Sequence, residues 1–324
     1  MFVVNYHDDL NEVQGGAVPA SSPFDRIEWW HGLAEHCGLK PLVVRASDGD
    51  EWAQLSLQRN ENGLSSLCNW YNFVWRPQLT GDGGKLLVPL AQNLAKHASF
   101  VSLSPLPDEA GEASQLEAAF RAAGWITFRK QCDVNHVLPV NGRSYAEFLA
   151  GRPGQVRTTL KRKASKVAVT IETTFNPASW AAYEAIYNES WKPGEGSPAF
   201  LRAFAEAEGA AGRLRLGLAY ADGLPVAAQF WTVENGTAYI HKLAHIEASK
   251  PLSPGTTLSA ALFEHVIDRD RVELVDFGTG DDGYKRDWME LIRPRYRLDC
   301  YRPSNPRNWL SIARQSLRAM LRRG

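Results

Sequence analysis

The stretch Lys250–Trp288, KPLSPGTTLSAALFEHVIDRDRVELVDFGTGDDGYKRDW, decides the fold. It reads as a capped helix, a short strand, and a loop dense in glycine and aspartate with one lysine. Ser253 suits the N-cap and Pro254 the first helical position, and Gly255, Thr256 and Thr257 follow in the first turn. Backbone N–H groups there point outward and the helix dipole favours an anion, while Gly255 lets a ligand come close to the main chain. The same features also describe a capped helix that binds nothing.

The residues before this stretch alternate as antiparallel strands. RLRLGLAY (213–220) turns at Asp222-Gly223 into PVAAQFWTVE (225–234), which turns at Asn235-Gly236 into TAYIHKLAH (237–245). Both dipeptides tolerate positive φ and suit tight hairpins. The first half spells the same order. KPLVVRA (40–46), WAQLSLQR (52–59) and GLSSLCNWY (63–71) are strand-like, with turns at Asp48-Gly49 and Asn62-Gly63. A helix over GGKLLVPLAQNLAKHA (83–98), with apolar residues at Leu86, Leu87, Leu90 and Leu94, and a strand over SFVSLSPL (99–106) follow. The paired turns recur roughly 170 residues apart, a period that suggests two related domains in tandem.

Between and around these lie further elements. MFVVNY opens as a strand, and SSPFDRIEWWHGLAEHCG (21–38) is a helix with Ser22 as cap and Pro23 at its first position. EASQLEAAFRAAGW (112–125) is helical, and WITFRKQCDVNHVLPV (125–140) is a long strand bridging into the second half. SYAEFLAGRPGQVRTTLKRKASK (144–166) is a helical pair broken at Arg152-Pro153-Gly154. NPASWAAYEAIYNESW (176–191) is a helix capped by Asn176, with an apolar stripe through Trp180, Tyr183 and Ile186. PRYRLDCYR (294–302) is the last strand.

Composition bounds the class. The chain has 324 residues, 44% hydrophobic and 22% charged, enough for two domains with a core each. A formal net charge of zero argues against a dedicated nucleic-acid binder. Cys37, Cys68, Cys132 and Cys300 are scattered without metal spacing, so no metal is expected and buried thiols of a reducing compartment are. No stretch has the length of a membrane span or the form of a signal peptide, and a cytoplasmic protein is the expectation.

Three antiparallel strands, a phosphate-binding helix N-terminus, a parallel strand and a second helix is the order of the GCN5-related N-acetyltransferase (GNAT) fold. The chain resembles its tandem branch, the CelD/BcsL-like acetyltransferases and related FemAB-type aminoacyltransferases. The residues that carry the resemblance are RTTLKRKASK (157–166), VAAQFWTVENGTAYIHKLAH (226–245), KPLSPGTTL (250–258) and VDFGTGDDGYKRDW (275–288). It covers Gly151 to Tyr301; in the first half it rests on SPFDRIEWW (22–30) and NWYNFVWRP (69–77). The fold class it implies is α/β, two tandem GNAT-like domains of mixed sheets flanked by helices. The boundaries are 1–138 for a degenerate N-terminal domain, 139–303 for a catalytic domain, and 304–324 for a basic amphipathic helix.

The resemblance implies transfer of an acyl group from a thioester, acyl-CoA or acetyl-CoA, to an amine on a small molecule or an envelope or exopolysaccharide-related acceptor. The pyrophosphate site would be Ser253, Gly255, Thr256 and Thr257. The family's usual loop carries Gln or Arg, two residues, Gly, one residue, and Gly or Ala, whereas this chain has Leu252, Gly255 and Thr257. FemAB-type relatives take their acyl group from aminoacyl-tRNA, and that donor, with a cell-wall precursor as acceptor, is the alternative. A non-catalytic GNAT-like scaffold is the third reading.

Lys285 in its glycine-rich loop resembles the lysine of FemAB-type enzymes and would set an ammonium beside a developing oxyanion; as a surface residue it would instead pair with Asp281 or Asp282. Asp276 ends its strand, where ligand crevices of open sheets lie, and would orient Lys285, bind the amine, or cap the next loop. On the strand before, Tyr239, His241, Leu243 and His245 are expected on one face and Ile240, Lys242 and Ala244 on the other. His241 is the candidate general base, with ordinary packing as the rival reading. Lys242, Asp281, Tyr284, Trp288, Glu189 and Trp191 are candidates for substrate contact. Tyr71, in the aromatic run Asn69, Trp70, Tyr71, Phe73 and Trp75, would wall an acceptor cleft between the domains or serve as core.

Arg157, Lys161, Arg162, Lys163 and Lys166 crowd one short helix, which reads as a phosphate or tRNA contact or as a solvated face. NPRNWLSIARQSLRAMLRRG (305–324) sets Trp309, Leu310, Ala313, Leu317, Met320 and Leu321 on one stripe, with Arg307, Arg314, Arg318, Arg322 and Arg323 around it. That is either a docked terminal helix or a peripheral contact with the inner face of a membrane.

Overall fold

A computed structural model describes residues 2–13 and 20–321. The chain divides into two compact units, 1–134 with 293–324, and 135–292. The first stretch runs β1 (Val3–His7), α1 (Ile27–Cys37), β2 (Pro41–Asp48), β3 (Glu51–Asn60), β4 (Gly63–Ser66), β5 (Gln78–Leu79), α2 (Leu87–Leu94), β6 (Phe100–Leu106), α3 (Glu112–Ala122) and β7 (Ile126–Pro139). The second runs α4 (Tyr145–Ala150), α5 (Gly154–Lys163), β8 (Ala168–Glu172), α6 (Pro177–Asn188), α7 (Pro198–Ala210), β9 (Leu214–Ala221), β10 (Leu224–Glu234), β11 (Thr237–His245), α8 (Pro254–Glu264) and β12 (Leu274–Thr279). The chain ends with β13 (Leu291–Tyr301) and α9 (Trp309–Leu321).

Within the second unit the strand order is β7-β12-β11-β10-β9-β8, antiparallel except for the parallel pair β11 and β12. Within the first unit it is β1-β2-β3-β4-β6-β13, again antiparallel except for the parallel pair β4 and β6. The two units share one pattern: four antiparallel strands, one parallel neighbour, one further antiparallel strand. The expected tandem repeat is therefore present, with one difference. The sixth strand of each pattern comes from the other half of the chain, because β7 pairs with β12, and β13 pairs with β6 in the register Tyr296↔Leu106 to Tyr301↔Phe100. Residues 293–303 fold with the first unit and not with the 139–303 segment expected from the linear order.

The turns behave as their dipeptides require. Asp222 and Gly223 take φ of 51° and 78°, and Asn235 and Gly236 take 48° and 71°, two successive left-handed residues in each hairpin. Asn176 caps α6 through a bond from the Ala178 amide, and Trp180, Tyr183 and Ile186 are buried beneath it. Helix α7 has no counterpart in the sequence reading, although Ser197, which caps it, and Pro198 at its first position are the usual start signals. Ser22 precedes a 3-10 turn, and its hydroxyl bonds the Asp25 carboxylate instead of capping a long helix.

Each unit buries its own core. Leu42, Leu55 and Leu57 meet Leu90 and Leu94 of α2 and Leu116 and Phe120 of α3 in the first. In the second, Trp231 and Ile240 meet Leu258, Leu262 and Phe263 of α8, with Phe148, Val275 and Trp288. Gly217 on β9 sets how close α8 lies: a Cβ there would stand 2.8 Å from Leu258 Cδ1 and 2.9 Å from Leu262 Cδ1.

Candidate active site

The site forms where β11 and β12 part. Their parallel pairing runs from Thr237/Leu274 to Tyr239/Asp276, and beyond it β11 follows β10 to His245 while β12 follows β7 to Thr279/Asn135. A β-bulge accompanies the parting, since Trp231 pairs with Ile240 but Phe230 with Lys242, leaving His241 as the extra residue. Strict alternation is broken there. Ile240 and Leu243 pack into the core beneath α8, whereas His241 lies against Phe204 and Phe230 and Lys242 against Tyr187, so these two neighbours face the α6 and α7 side together.

Helix α8 aims its N-terminus at the end of β11. Ser253 is its N-cap residue but adopts φ 53° and ψ 48°, and its side chain makes no capping bond; instead its Oγ accepts a 3.0 Å bond from Lys163 Nζ on α5. An ammonium held at the positive end of a helix dipole leaves a concentration of positive charge that an anion would offset. Thr257, buried in the first turn, has a hydroxyl without a hydrogen-bond partner. Gly255 lies beside His245, whose Nδ1 is 3.7 Å from the position a Cβ would take. Gln229 ties the turn to β10 by donating to Gly255 O and Ser259 Oγ at 3.2 and 2.7 Å.

Around this opening a chain of ring and cation contacts joins four segments. The Trp191 and His245 rings are 4.4 Å apart, Lys192 Nζ stands 5.2 Å from the Trp191 ring and 5.8 Å from the Tyr284 ring, and Tyr284 meets Phe277 at 5.7 Å. Burial lowers the Lys192 pKa, with Asp282 opposing, and lowers that of His245, with Glu247 opposing. Both shifts favour the neutral, nucleophilic or proton-accepting form. Burial raises the Tyr284 phenol, so it keeps its proton. Lys242 pairs with Glu195 at 2.7 Å, and burial also lowers its pKa. Tyr187 beside them is raised to about 12 by burial and then by Glu195.

The residues singled out from sequence separate into those at this opening and those elsewhere. His241 is present but engaged: Nε2 is 2.8 Å from Thr232 Oγ1 and the ring stacks on Phe230 at 5.1 Å. Lys285 is neither a surface partner nor an open cation. It is buried, its Nζ donates to Thr279 O and Gly280 O, and Asp282 stands 3.9 Å away, so the side chain clasps the loop from inside. Asp276 lies inside β12 and not at its end as expected; it is buried, at the last residue paired with β11, and accepts from Asn135 Nδ2 and from the Gly278 amide at 2.8 Å. Asp281 bridges His136 at 2.9 Å and Arg286 at 2.7 Å, and Arg286 followed by His136 pulls its pKa down.

Two expectations change. Trp288 contacts no opening: it is buried, stacked on Phe263 at 4.9 Å and near Phe148, because the turn after Lys285 folds inward. Tyr71 is buried in the first unit, as the core alternative has it. Arg157 and Lys161 are exposed on α5, away from the face that carries Lys163 to α8. Trp191 is half exposed beside His245. His245, Lys192 and Glu195 were not singled out as site residues; Lys163 was, among the cations read as a phosphate or tRNA contact or a solvated face, and it reaches the α8 N-terminus. The signal for His245 was available, as a second imidazole four residues past His241 in the strand that precedes the phosphate-type turn.

Comparison with known proteins agrees with this architecture. Residues 154–286 match the family model described as acetyltransferase (GNAT) domain. No curated protein sequence matches the chain. Among solved structures, the chain is similar to FemX (TM-score 0.63, 12% identity, covering 88% of this chain and 93% of that one). It is similar to L-PGS from Bacillus licheniformis (0.56, 13%, 93% and 97%) and to a tandem GNAT protein from the clavulanic acid biosynthesis pathway (0.52, 14%, 92% and 98%). At these identities the likeness is one of fold.

Proposed function

We propose, from the match of residues 154–286 to the acetyltransferase (GNAT) domain model and from the tandem GNAT fold of the chain, that this unit transfers an acyl group from a coenzyme A thioester to an amine. The observation that carries this reading is the parting of β11 from β12 beside an α8 N-terminus that holds Lys163 and the unpartnered hydroxyl of Thr257. Thr257, the amides of Gly255 and Thr256, and Lys163 would hold a pyrophosphate, and the side of β11 from which β12 parts would receive an extended acyl-bearing arm alongside the strand. The thioester supplies an activated acyl carbonyl. Everything else falls to the chain.

His245 is assigned as proton acceptor for the incoming amine. Its imidazole is neutral at pH 7 because burial lowers its pKa, and its Nε2 has no hydrogen-bond partner. His241, engaged with Thr232 and packed in aromatic rings, shapes the bulge instead. Tyr284 Oη retains a proton to donate, and Trp191 with Lys192 lines the approach of the acceptor. Asp276 and Lys285 are positioning residues that hold β12 where it leaves β11 and the loop carrying Tyr284. The acceptor is an amine on a small molecule or on an envelope glycan precursor. The cations Arg157 and Lys161, exposed on α5, supply the charge that an aminoacyl-tRNA donor would need, and this is the second reading.

Thermal shift with acetyl-CoA decides between them. Saturation at about 100 times Kd stabilises by about 2.7 kcal/mol, and Thr257→Val and Lys163→Ala are expected to remove most of that shift. Stabilisation by aminoacyl-tRNA and none by acetyl-CoA at millimolar concentration overturns the coenzyme A reading.

A further inference from the structure

Helix α9 is amphipathic in the wrong sense for a docked helix. Its half-buried side is Ser311, Ile312, Gln315 and Ser316, small or polar except for one residue. Its apolar side faces out: Trp309, Leu310, Leu317, Met320 and Leu321 are each about 60–75% exposed. At 3.6 residues per turn these five, with Ala313, occupy an arc of about 120° opposite the half-buried side. Arg314 and Arg318, exposed, border that arc. A helix recruited only to complete the first unit would turn this stripe inward.

The surrounding charge identifies what the stripe meets. Residues 302–324 hold Arg302, Arg307, Arg314, Arg318, Arg322 and Arg323 and no Asp, Glu or Lys, in a chain whose net charge is zero; Arg322 and Arg323 lie outside the described residues. A second copy of the helix laid on the stripe would set arginines against arginines with no acid in the segment to offset them. An anionic lipid surface satisfies both properties at once, since the apolar arc enters the acyl boundary and the guanidinium groups reach the headgroups. The helix has 13 residues, about 20 Å, and no helix among the described residues is long and apolar enough to cross a membrane, so it lies in the plane of the surface.

We propose that α9 is an in-plane anchor through which the protein binds anionic bilayers. The proposal is independent of the transferase reading. Sedimentation of the full chain with vesicles of equal parts phosphatidylcholine and phosphatidylglycerol tests it, against vesicles of phosphatidylcholine alone. Binding to the mixed vesicles is expected to be at least about tenfold tighter and to weaken as salt rises. Leu310→Asp with Leu317→Asp is expected to abolish binding, and Arg314→Ser with Arg318→Ser to reduce it to the level on phosphatidylcholine. These side chains are exposed, so melting temperatures should stay unchanged; the salt dependence of the unaltered protein gives an arm that needs no variant. Absence of binding to the mixed vesicles overturns the proposal. So does a dimer in solution that Leu317→Asp dissolves, which would make a second copy the occupant.

Discussion

Lys285 shows how burial decides a role that residue type leaves open. Its ammonium sits inside the loop 279–285 against two backbone carbonyls, so Lys285→Met leaves buried acceptors unsatisfied and is expected to cost about 1–3 kcal/mol in urea unfolding. Activity should recover to within about tenfold when assayed well below the variant's melting temperature; a loss persisting at about the 10³ level typical of a missing oxyanion donor would return the lysine to the chemistry. His245 sets the pH dependence. Burial lowers its pKa below 6.5, so kcat/KM should be flat near pH 7 and fall only on acidification below 6.5, and an acid limb above that value would remove His245 from the reaction. The same shift has a stability sign. His245 and His265, both lowered by burial, take up protons more readily unfolded than folded, so stability falls as pH drops from 6.5 toward their folded pKa values and levels off below them.

Elements were legible where local chemistry dictates them. Asp222-Gly223 and Asn235-Gly236 located hairpins because left-handed backbone admits few residue types, and the spacing of Trp180, Tyr183 and Ile186 matched a buried helix face. The bulge at His241 was not legible, since period-two alternation assumes that no residue is extra, and one insertion moves Lys242 to the side of His241. Ser253 has the composition of a cap without its geometry, because its hydroxyl is engaged by Lys163 from a helix 90 residues earlier. Packing between elements gives two tests. Gly217→Val drives methyl groups into Leu258 and Leu262 and is expected to cost about 1–3 kcal/mol by overpacking, with a matching rise in the Kd for acetyl-CoA as α8 shifts. Trp288→Ala removes the ring stacked on Phe263 and is expected to cost about 3–5 kcal/mol; wild-type stability with altered acceptor KM would restore it to the substrate side.

At the scale of the molecule, the doubled pattern of four antiparallel strands and a parallel neighbour could be read from order alone. Which sheet receives β7 and β13 could not, because a strand's sequence records its faces and not its partner. That exchange has a consequence for how the chain is made. The ribosome releases 135–292, with the β7 segment that edges it, before it releases β13, so the second unit has all its strands while the first still lacks one. The usual sequence, in which the N-terminal domain matures first during synthesis, is then reversed. Chains stalled after residue 292 emerges should show a protease-resistant fragment of 135–292 and a cleavable N-terminal segment, and resistance of 1–134 should appear only once Tyr301 is clear of the tunnel. An N-terminal unit that waits for β13 also couples its maturation to synthesis through Tyr301, so nascent chains truncated before that residue would be left open to degradation by the cell's proteases.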